Sequence, residues 1–238
     1  MQRYFGSIIG NNVLLSDDDA YHLLKVMRAR IHDNIEVVSD GVAFIAEINS
    51  IKPLQINIIS KLNEKRELSN DIILIASLLK GDKLDFVIQK ACEIGVSEIV
   101  LLNTSRVIVR KDDYCSERKF ERYRRILKEA SEQCHRNKIP MLYRAIDIKD
   151  IDKIKADVKL IAYEEKAGNT KNFLANIRKV TSGQKVAIMI GPEGGFSSEE
   201  VELAKNSGYI PVSLGRRILR AETASIYALS VMSCILDK

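Results

Sequence analysis

Two stretches of this 238-residue chain combine glycine, arginine and glutamate in ways that could do chemistry. The first is Ile190-Gly191-Pro192-Glu193-Gly194-Gly195-Phe196, after the apolar run Lys185 to Met189. The second runs from Ser213 to Ala224 and places Arg216, Arg217, Arg220 and Glu222 between a strand candidate and an apolar helix. Glycines just past a strand let the backbone take positive φ and come close to a ligand. Open α/β sheets bind ligands beyond the C-terminal ends of their strands. The first loop is not a P-loop, because no Gly-Lys-Ser/Thr follows, and it fails the G-x-G-x-x-G spacing. A plain tight connection could look like the first stretch, and a capped helix start with surface arginines like the second. Two such loops at successive strand ends make a shared pocket the better reading.

The elements that would position these loops alternate. Asp71 to Leu79, Glu98 to Leu102, Val158 to Tyr163, Lys185 to Ile190 and Tyr209 to Leu214 are apolar runs of strand length. Helical spacing covers Leu84 to Ile94, closed by Gly95 as a C-cap residue, and a long charged helix covers Glu117 to His135. Lys171 to Lys179 and Ser198 to Lys205 are further helix candidates. A βαβα order predicts an α/β fold with a parallel sheet covered by helices. The last segment, Glu222 to Leu236, is apolar nearly all round, so it must be buried on more than one side. A core helix satisfies that, and so does a helix shared with a subunit interface.

Residues 1–67 read differently, as a small β-rich unit. Asn34 to Val38, Val42 to Ile48 and Gln55 to Ile59 are strand candidates, with Asp40-Gly41 as a hairpin turn. A helix is predicted around Ala20 to Arg30, started by Ser16-Asp17-Asp18-Asp19, whose carboxylates suit a first turn. The polar link Asn63 to Glu67 sets the expected boundary, giving domains at 1–67 and 68–238.

Composition narrows the function classes. With 46% hydrophobic residues the chain can bury a core, and no uncharged apolar run is long enough to span a membrane as a helix. The N-terminus has neither the basic start nor the apolar stretch of a signal peptide, so a cytoplasmic location is expected. Cys92, Cys115, Cys134 and Cys234 form no C-x-x-C pair and stand at no metal-ligand spacing to His22, His32 or His135, so no zinc site and no disulfide framework is expected. The net charge of +5 is uneven: residues 1–68 hold eight Lys/Arg against nine Asp/Glu, while Arg106 to Lys138 hold eleven against six. Clustered basic charge favours a polyanion such as nucleic acid, although a solvated helix face has the same composition.

Together these stretches resemble one family. IGPEGGFSSEE followed by LGRRILRAETA is similar to the signature of the 16S rRNA (uracil N3)-methyltransferases of the SPOUT class. His22 to Arg28, Lys80 to Lys83, Ile88 to Val96 and Glu129 to Arg136 match further stretches of the pattern, so the resemblance spans nearly the whole chain. Departures are Arg216, where the family more often has proline, and Ala221, where it more often has threonine. The resemblance implies a PUA-like β-barrel for RNA contact at the N-terminus and a C-terminal SPOUT domain whose backbone forms a trefoil knot. It implies a homodimer through the C-terminal helix and S-adenosyl-L-methionine held in the knotted loops. Carried over residue by residue, Ile190, Gly191, Gly194 and Gly195 belong to one loop of the cofactor pocket. Leu214, Gly215, Ile218, Leu219, Arg220 and Thr223 belong to the other.

Methylating N3 of uracil poses a definite problem. The imide nitrogen carries a proton at neutral pH, so a base must remove it or the enzyme must favour the anion. Charge then spreads onto O2 and O4, where an arginine stabilises it. Arg220 is the candidate for that role, with Glu222 and Glu193 as candidate bases. RNA contacts are expected from Arg3, Arg28 and Arg30 in the first domain and from Arg122, Arg124, Arg125 and Arg136 in the second, mostly to phosphates. No metal is required. A non-catalytic RNA-binding protein on the same scaffold would not need both loops intact. A SPOUT enzyme acting on transfer RNA or on a ribose hydroxyl fits the N-terminal domain and the E-Q-C-H-R stretch less well.

Overall fold

The computed structural model describes residues 1–107, 116–163 and 171–237. Cys115 and the part of the basic stretch at 108–115 lie outside the described residues. The chain divides into two compact units, Met1–Glu67 with Ser131–Lys138, and Leu68–Ala130 with Ile139–Lys238.

The first unit is a six-stranded mixed sheet of β1 (Arg3–Phe5), β2 (Ser7–Ile9), β3 (Asn12–Leu14), β4 (Asn34–Ser39), β5 (Val42–Ile51) and β6 (Leu54–Lys61), in the order β1-β4-β5-β6-β3-β2. The β4–β5 hairpin turns at Asp40 and Gly41, both with positive φ (49° and 77°), as a two-residue turn with the strands' own twist requires. Strands β1 to β3 have three residues each, too few to show an alternating pattern in the sequence. The core gathers Tyr4, Val13, Leu23, Ile35, Val37, Ile48 and Ile56.

The helix expected from Ala20 to Arg30 is shorter and less regular. Helix α1 (Asp17–Tyr21) is capped by the Ser16 hydroxyl, which accepts from the Asp19 amide, and it passes into one π-helical turn, His22–Val26. The Met27 amide reaches back five residues to the His22 carbonyl, and Arg28 then takes a φ of 54° that stops the helix. Burial of Leu23 and a 2.9 Å hydrogen bond between Tyr4 Oη and His22 Nδ1 hold the wide turn.

The second unit is an all-parallel six-stranded sheet of β7 (Asp71–Ser77), β8 (Glu98–Asn103), β9 (Met141–Asp147), β10 (Val158–Ala162), β11 (Lys185–Ile190) and β12 (Ile210–Val212), in the order β12-β10-β11-β7-β8-β9. Successive side chains of a strand point to opposite faces. Here both faces are covered, which is why the central strands read as unbroken apolar runs. Ile72, Leu74 and Ala76 of β7 join Val186, Ile188 and Ile190 of β11 in one core, under α2 (Lys83–Ile94), α3 (Glu117–Gln133), α4 (Lys171–Ile177) and α6 (Ala221–Leu236). Ile73 and Ile75 join Ala187 and Met189 in the other, under α5 (Ser198–Asn206) and the 3-10 turn Ile148–Lys153. Each of the larger ones among these side chains, fully buried, stabilises the fold by roughly 1.5–3 kcal/mol. Strand β9, at the sheet edge, has mixed exposure and no sequence signal of comparable strength.

Helix α6 buries one side. Ala224, Ala228, Leu229, Met232 and Leu236 face the core, while Thr223, Tyr227, Ser230 and Cys234 are exposed. Among the described residues no helix is long and apolar enough to cross a membrane.

Candidate active site

The two glycine- and arginine-bearing loops meet at the C-terminal edge of the sheet. The first follows β11 and the second follows β12, and between those strands lies β10, whose end supplies Ala162 and Tyr163. Together they wall a cavity of about 650 Å³, within the range of small-molecule sites. Of the residues expected there, Ile190, Gly191, Gly194, Gly195, Ile218, Leu219 and Arg220 line it. Leu214 and Gly215 line a smaller adjoining hollow of about 100 Å³, which shares Ala162, Tyr163, Leu219 and Ala224 with the larger one.

Thr223 lines neither hollow and is exposed. Helix α6 begins at Ala221, and at 3.6 residues per turn Ala221 and Ala224 share the cavity side while Thr223 turns away.

Backbone forms much of the wall. Gly195 has φ 66° in the turn closed by its own amide on the Pro192 carbonyl at 2.9 Å. A Cβ on Gly191 would lie 3.1 Å from the Phe196 ring, and one on Gly194 would lie 3.1 Å from Arg106 Cβ. Beyond the loop, Ser197 caps α5: its hydroxyl accepts from the Glu200 amide, and the Glu200 carboxylate accepts from the Ser197 amide. Ile218 is 84% exposed although it lines the cavity, so its apolar surface is unused by the fold itself.

The two candidate bases differ in their surroundings. Glu193 lines the cavity, and its Oε1 accepts from Lys83 Nζ at 2.9 Å. Burial pushes the Glu193 carboxyl up, but the Lys83 ammonium and backbone hydrogen bonds outweigh that and hold it below the usual carboxylate range. Such a group is a weak proton acceptor. Glu222 lines neither hollow, yet its Oε2 is buried with no hydrogen-bond partner among the described residues. Arg220, the residue before α6, is exposed at the rim of the cavity.

Among the cavity residues that sequence reasoning gave no site role are two cations, Lys83 and Arg106. Arg106 stands past the end of β8, and Lys83 opens α2 after β7. Their position after strand ends, the same signal as in the two main loops, is what could have found them.

The expected RNA contacts divide sharply. Arg3 is a correction: it is 1% exposed and sits in β1 directly opposite Glu36 of β4, to which it is ion-paired at 2.6 Å. It also donates to the His135 carbonyl and to Asn137 Oδ1. Arg136 is a second correction, buried and paired with Glu67 at 2.5 Å. Both cations are spent inside the first unit, because an unpaired buried charge would be very costly. Arg122 is exposed but paired with Asp85, and Arg124 is paired with Glu121 at 2.7 Å and lies over the Phe120 ring. Arg28, Arg30 and Arg125 are exposed, with no side-chain partner among the described residues.

Comparison with known proteins fits this geometry. A model described as an RNA methyltransferase domain matches residues 66–233, and one described as an RNA methyltransferase PUA domain matches residues 15–59. The chain is 34% identical to the ribosomal RNA small subunit methyltransferase E of Bacillus subtilis, covering 98% of this chain and 96% of that protein. It is 33% identical to the protein of that name from Mesomycoplasma hyopneumoniae, with all of both chains covered. The crystal structure of the Neisseria gonorrhoeae ribosomal RNA small subunit methyltransferase E bound to S-adenosyl methionine is similar, with a TM-score of 0.86 and 30% identity over 99% of this chain and 98% of that one. A parallel sheet with a strand-end cavity, joined to a PUA-like unit, thus defines an RNA methyltransferase. Within that class, the chain belongs to the ribosomal RNA small subunit methyltransferase E family.

Proposed function

We propose that the protein transfers a methyl group from S-adenosylmethionine to N3 of a uridine in 16S ribosomal RNA, within the small subunit. The observation that carries this reading is the cavity at the ends of β10, β11 and β12, with glycine backbone on one wall and Arg220 on its rim. The cofactor fits these residues: Gly191, Gly194 and Gly195 leave room for close approach, and the exposed Ile218 offers an apolar surface to an adenine. Bound S-adenosylmethionine supplies an electrophilic methyl group on a sulfonium, a leaving group that needs no metal. Ile190 with the three glycines would hold it on one side, and Leu214, Gly215, Ile218 and Leu219 on the other. Thr223 would contribute only through the start of α6.

The remaining chemistry belongs to the chain. Arg220 favours the uracil anion by meeting the charge that develops on O2 and O4. Between the carboxylates, Glu193 lines the cavity but is neutralised by Lys83, while Glu222 has an unpartnered oxygen but lies outside the cavity wall. We assign the proton to Glu222 and give Glu193 the work of holding its loop. Arg28, Arg30 and Arg125, being unpaired, take RNA phosphates first, with Arg122 and Arg124 following once they exchange their carboxylates. The unit of residues 1–67 serves as the PUA-like RNA-binding domain and residues 68–238 as the methyltransferase domain, with the backbone knotted around the two loops. The protein acts in the cytoplasm as a homodimer through α6, whose outer face carries Tyr227. Mass spectrometry of ribosomal RNA nucleosides tests the reading: cells without the protein should lose 3-methyluridine from 16S rRNA. An unchanged 3-methyluridine content would overturn it.

A further inference from the structure

Arg106 stands just past the end of β8, outside both loops that form the cavity, yet it touches the first of them closely. Its Nη1 donates to the Gly194 carbonyl at 3.1 Å and to the Phe196 carbonyl at 3.3 Å. The stem fits as tightly as the head: a Cβ built on Gly194 would meet Arg106 Cβ at 3.1 Å and the Arg106 carbonyl oxygen at 3.4 Å. The residue before it acts on the far side of the loop. The Ser105 amide donates to Glu200 Oε1 at 2.7 Å, and the other oxygen of that buried carboxylate accepts from the Ser197 amide at 2.9 Å. Consecutive residues after β8 therefore grip the glycine-rich loop at Gly194 and Phe196 and at the helix start that follows it.

This grip has a physical purpose. A loop of three glycines pays a large conformational entropy to adopt one shape. Its inward carbonyls have no regular ladder to satisfy them, and one planar guanidinium can serve two of them at once. A lysine could reach the same place, but a point charge on a flexible stem does not fix two acceptors in one geometry.

We propose that Arg106 is a positioning residue for methyl transfer: it sets the shape of the Gly191–Phe196 loop, and through that shape the affinity for S-adenosylmethionine. This rests on the methyltransferase reading above. The contact between Arg106 and Gly194 is the working part, so disturbing either residue should have the same effect. Misplacing reacting groups by about 1 Å can cost roughly 10²-fold in rate, and a shifted pocket wall should show itself first as weaker binding.

The test uses the full-length protein and three substitutions, Arg106→Ala, Arg106→Lys and Gly194→Ala. Binding of S-adenosylhomocysteine and of 5′-methylthioadenosine, which lacks the amino-acid part, is measured by calorimetry beside melting temperature without ligand. Failure of the wild-type protein to bind either nucleoside would refute the methyltransferase reading itself and leave nothing to position. With wild-type binding established, Arg106→Ala and Gly194→Ala should each weaken both nucleosides by about 10- to 100-fold. The double variant should be no weaker than the worse single one, because both substitutions break one contact. Arg106→Lys should recover only part of the loss, and added guanidinium at low millimolar concentration should partly rescue Arg106→Ala. Additive losses in the double variant would overturn the proposal. So would a lowered melting temperature with unchanged nucleoside affinity, which marks a merely structural arginine. A loss confined to S-adenosylhomocysteine would overturn it as well, since the arginine would then be a direct ligand of the carboxylate.

Discussion

Lys83 Nζ donates to Glu193 Oε1 at 2.9 Å, so the first residue of α2 is tied to the middle of the glycine-rich loop. The pair is partly exposed, with 38% and 24% of the two side chains accessible. Its worth in stability is therefore small, under about 1 kcal/mol. Its effect on proton chemistry is larger. Burial alone would raise the Glu193 carboxyl, and Lys83 reverses that. A depressed native pKa stabilises the fold above the unfolded pKa, and that stabilisation is lost as pH falls through the native value.

The consequence is a clean separation of the two carboxylates. Lys83→Ala should raise the titration of Glu193 and lose under about 1 kcal/mol at neutral pH, shrinking towards zero in acid. Glu193→Gln should leave the single-turnover rate within a few-fold of wild type, whereas Glu222→Gln should lower it at neutral pH and recover as pH rises. Single-turnover profiles of the two variants from pH 6 to 9 check this; equal losses in both would reassign the base.

Arg220→Ala should lower the single-turnover rate by roughly 10²–10³-fold, the scale of losing one preorganised donor. The residue is exposed, and no ion pair ties its side chain to the described residues, so the fold should survive with cofactor affinity little changed. Melting with ligand gives the control: at about 100 times Kd, S-adenosylmethionine should stabilise wild type and variant alike by roughly 2.7 kcal/mol. A well-folded, cofactor-binding variant with a normal rate would remove Arg220 from the reaction.

Much of this architecture was legible because the parallel sheet writes itself as long apolar runs. Strands β7, β8 and β11 and helices α2, α5 and α6 fall within a residue or two of their sequence-based ranges. What was not legible depends on partners distant in the chain. Arg3 looks like any surface arginine until Glu36 and Asn137 are brought around it, and its strand is too short to show a pattern. The segment Ser131–Lys138 belongs with the first unit although the long helix leading to it begins in the second, and no composition change marks that division. Arg106 carries no motif; its place just past the end of β8 was its one signal, and the closure of the cavity gives that place meaning.

The buried cluster in the first unit makes a stability prediction. Arg3→Ala leaves Glu36 without its main partner and should cost about 3–5 kcal/mol at neutral pH. Burial raises the Glu36 carboxyl, but Arg3 and His135 lower it further and the net shift is downward. The contribution is therefore full at neutral pH and is lost in acid, as pH falls through the depressed native value. Urea unfolding at pH 7 and pH 4 should show the gap between wild type and variant narrowing in acid. A gap independent of pH would mean that packing, not charge, is what Arg3 supplies.

RNA affinity should fall steeply with salt, because bound Lys and Arg release counterions. Each phosphate contact removed lowers the slope of log affinity against log salt by about 0.7–0.9. Replacing Arg28 and Arg125 together by alanine should flatten the slope more than replacing Arg122 and Arg124, which are already paired with carboxylates. Filter binding across a salt series decides; equal flattening would show that those ion pairs open freely on RNA.

Tyr227 is 46% exposed on the outer face of α6, beside Thr223, Ser230 and Cys234. Tyr227→Asp should convert a dimer into a monomer that keeps its fold, as sedimentation and far-ultraviolet dichroism would report. Leu229 is unsuitable for this test, since it is 1% exposed in the core and a charge there would unfold the chain. A wild-type protein that sediments as a monomer at micromolar concentration would defeat the dimer reading.

The order of the central strands has a consequence for synthesis. Strand β7 is laid down early, at Asp71–Ser77, yet its inner neighbour is β11 at Lys185–Ile190. Beyond that, the cavity still lacks Ile218 to Ala224. A nascent chain emerging from the ribosome therefore carries β7 without this neighbour until Lys185–Ile190 follows. The first unit has all its strands by then, but the cavity proposed for the methyl donor is walled only as the final helix is released. The proposed site is complete only when synthesis is almost finished, and any truncation that removes α6 takes Ala221 and Ala224 from the cavity wall.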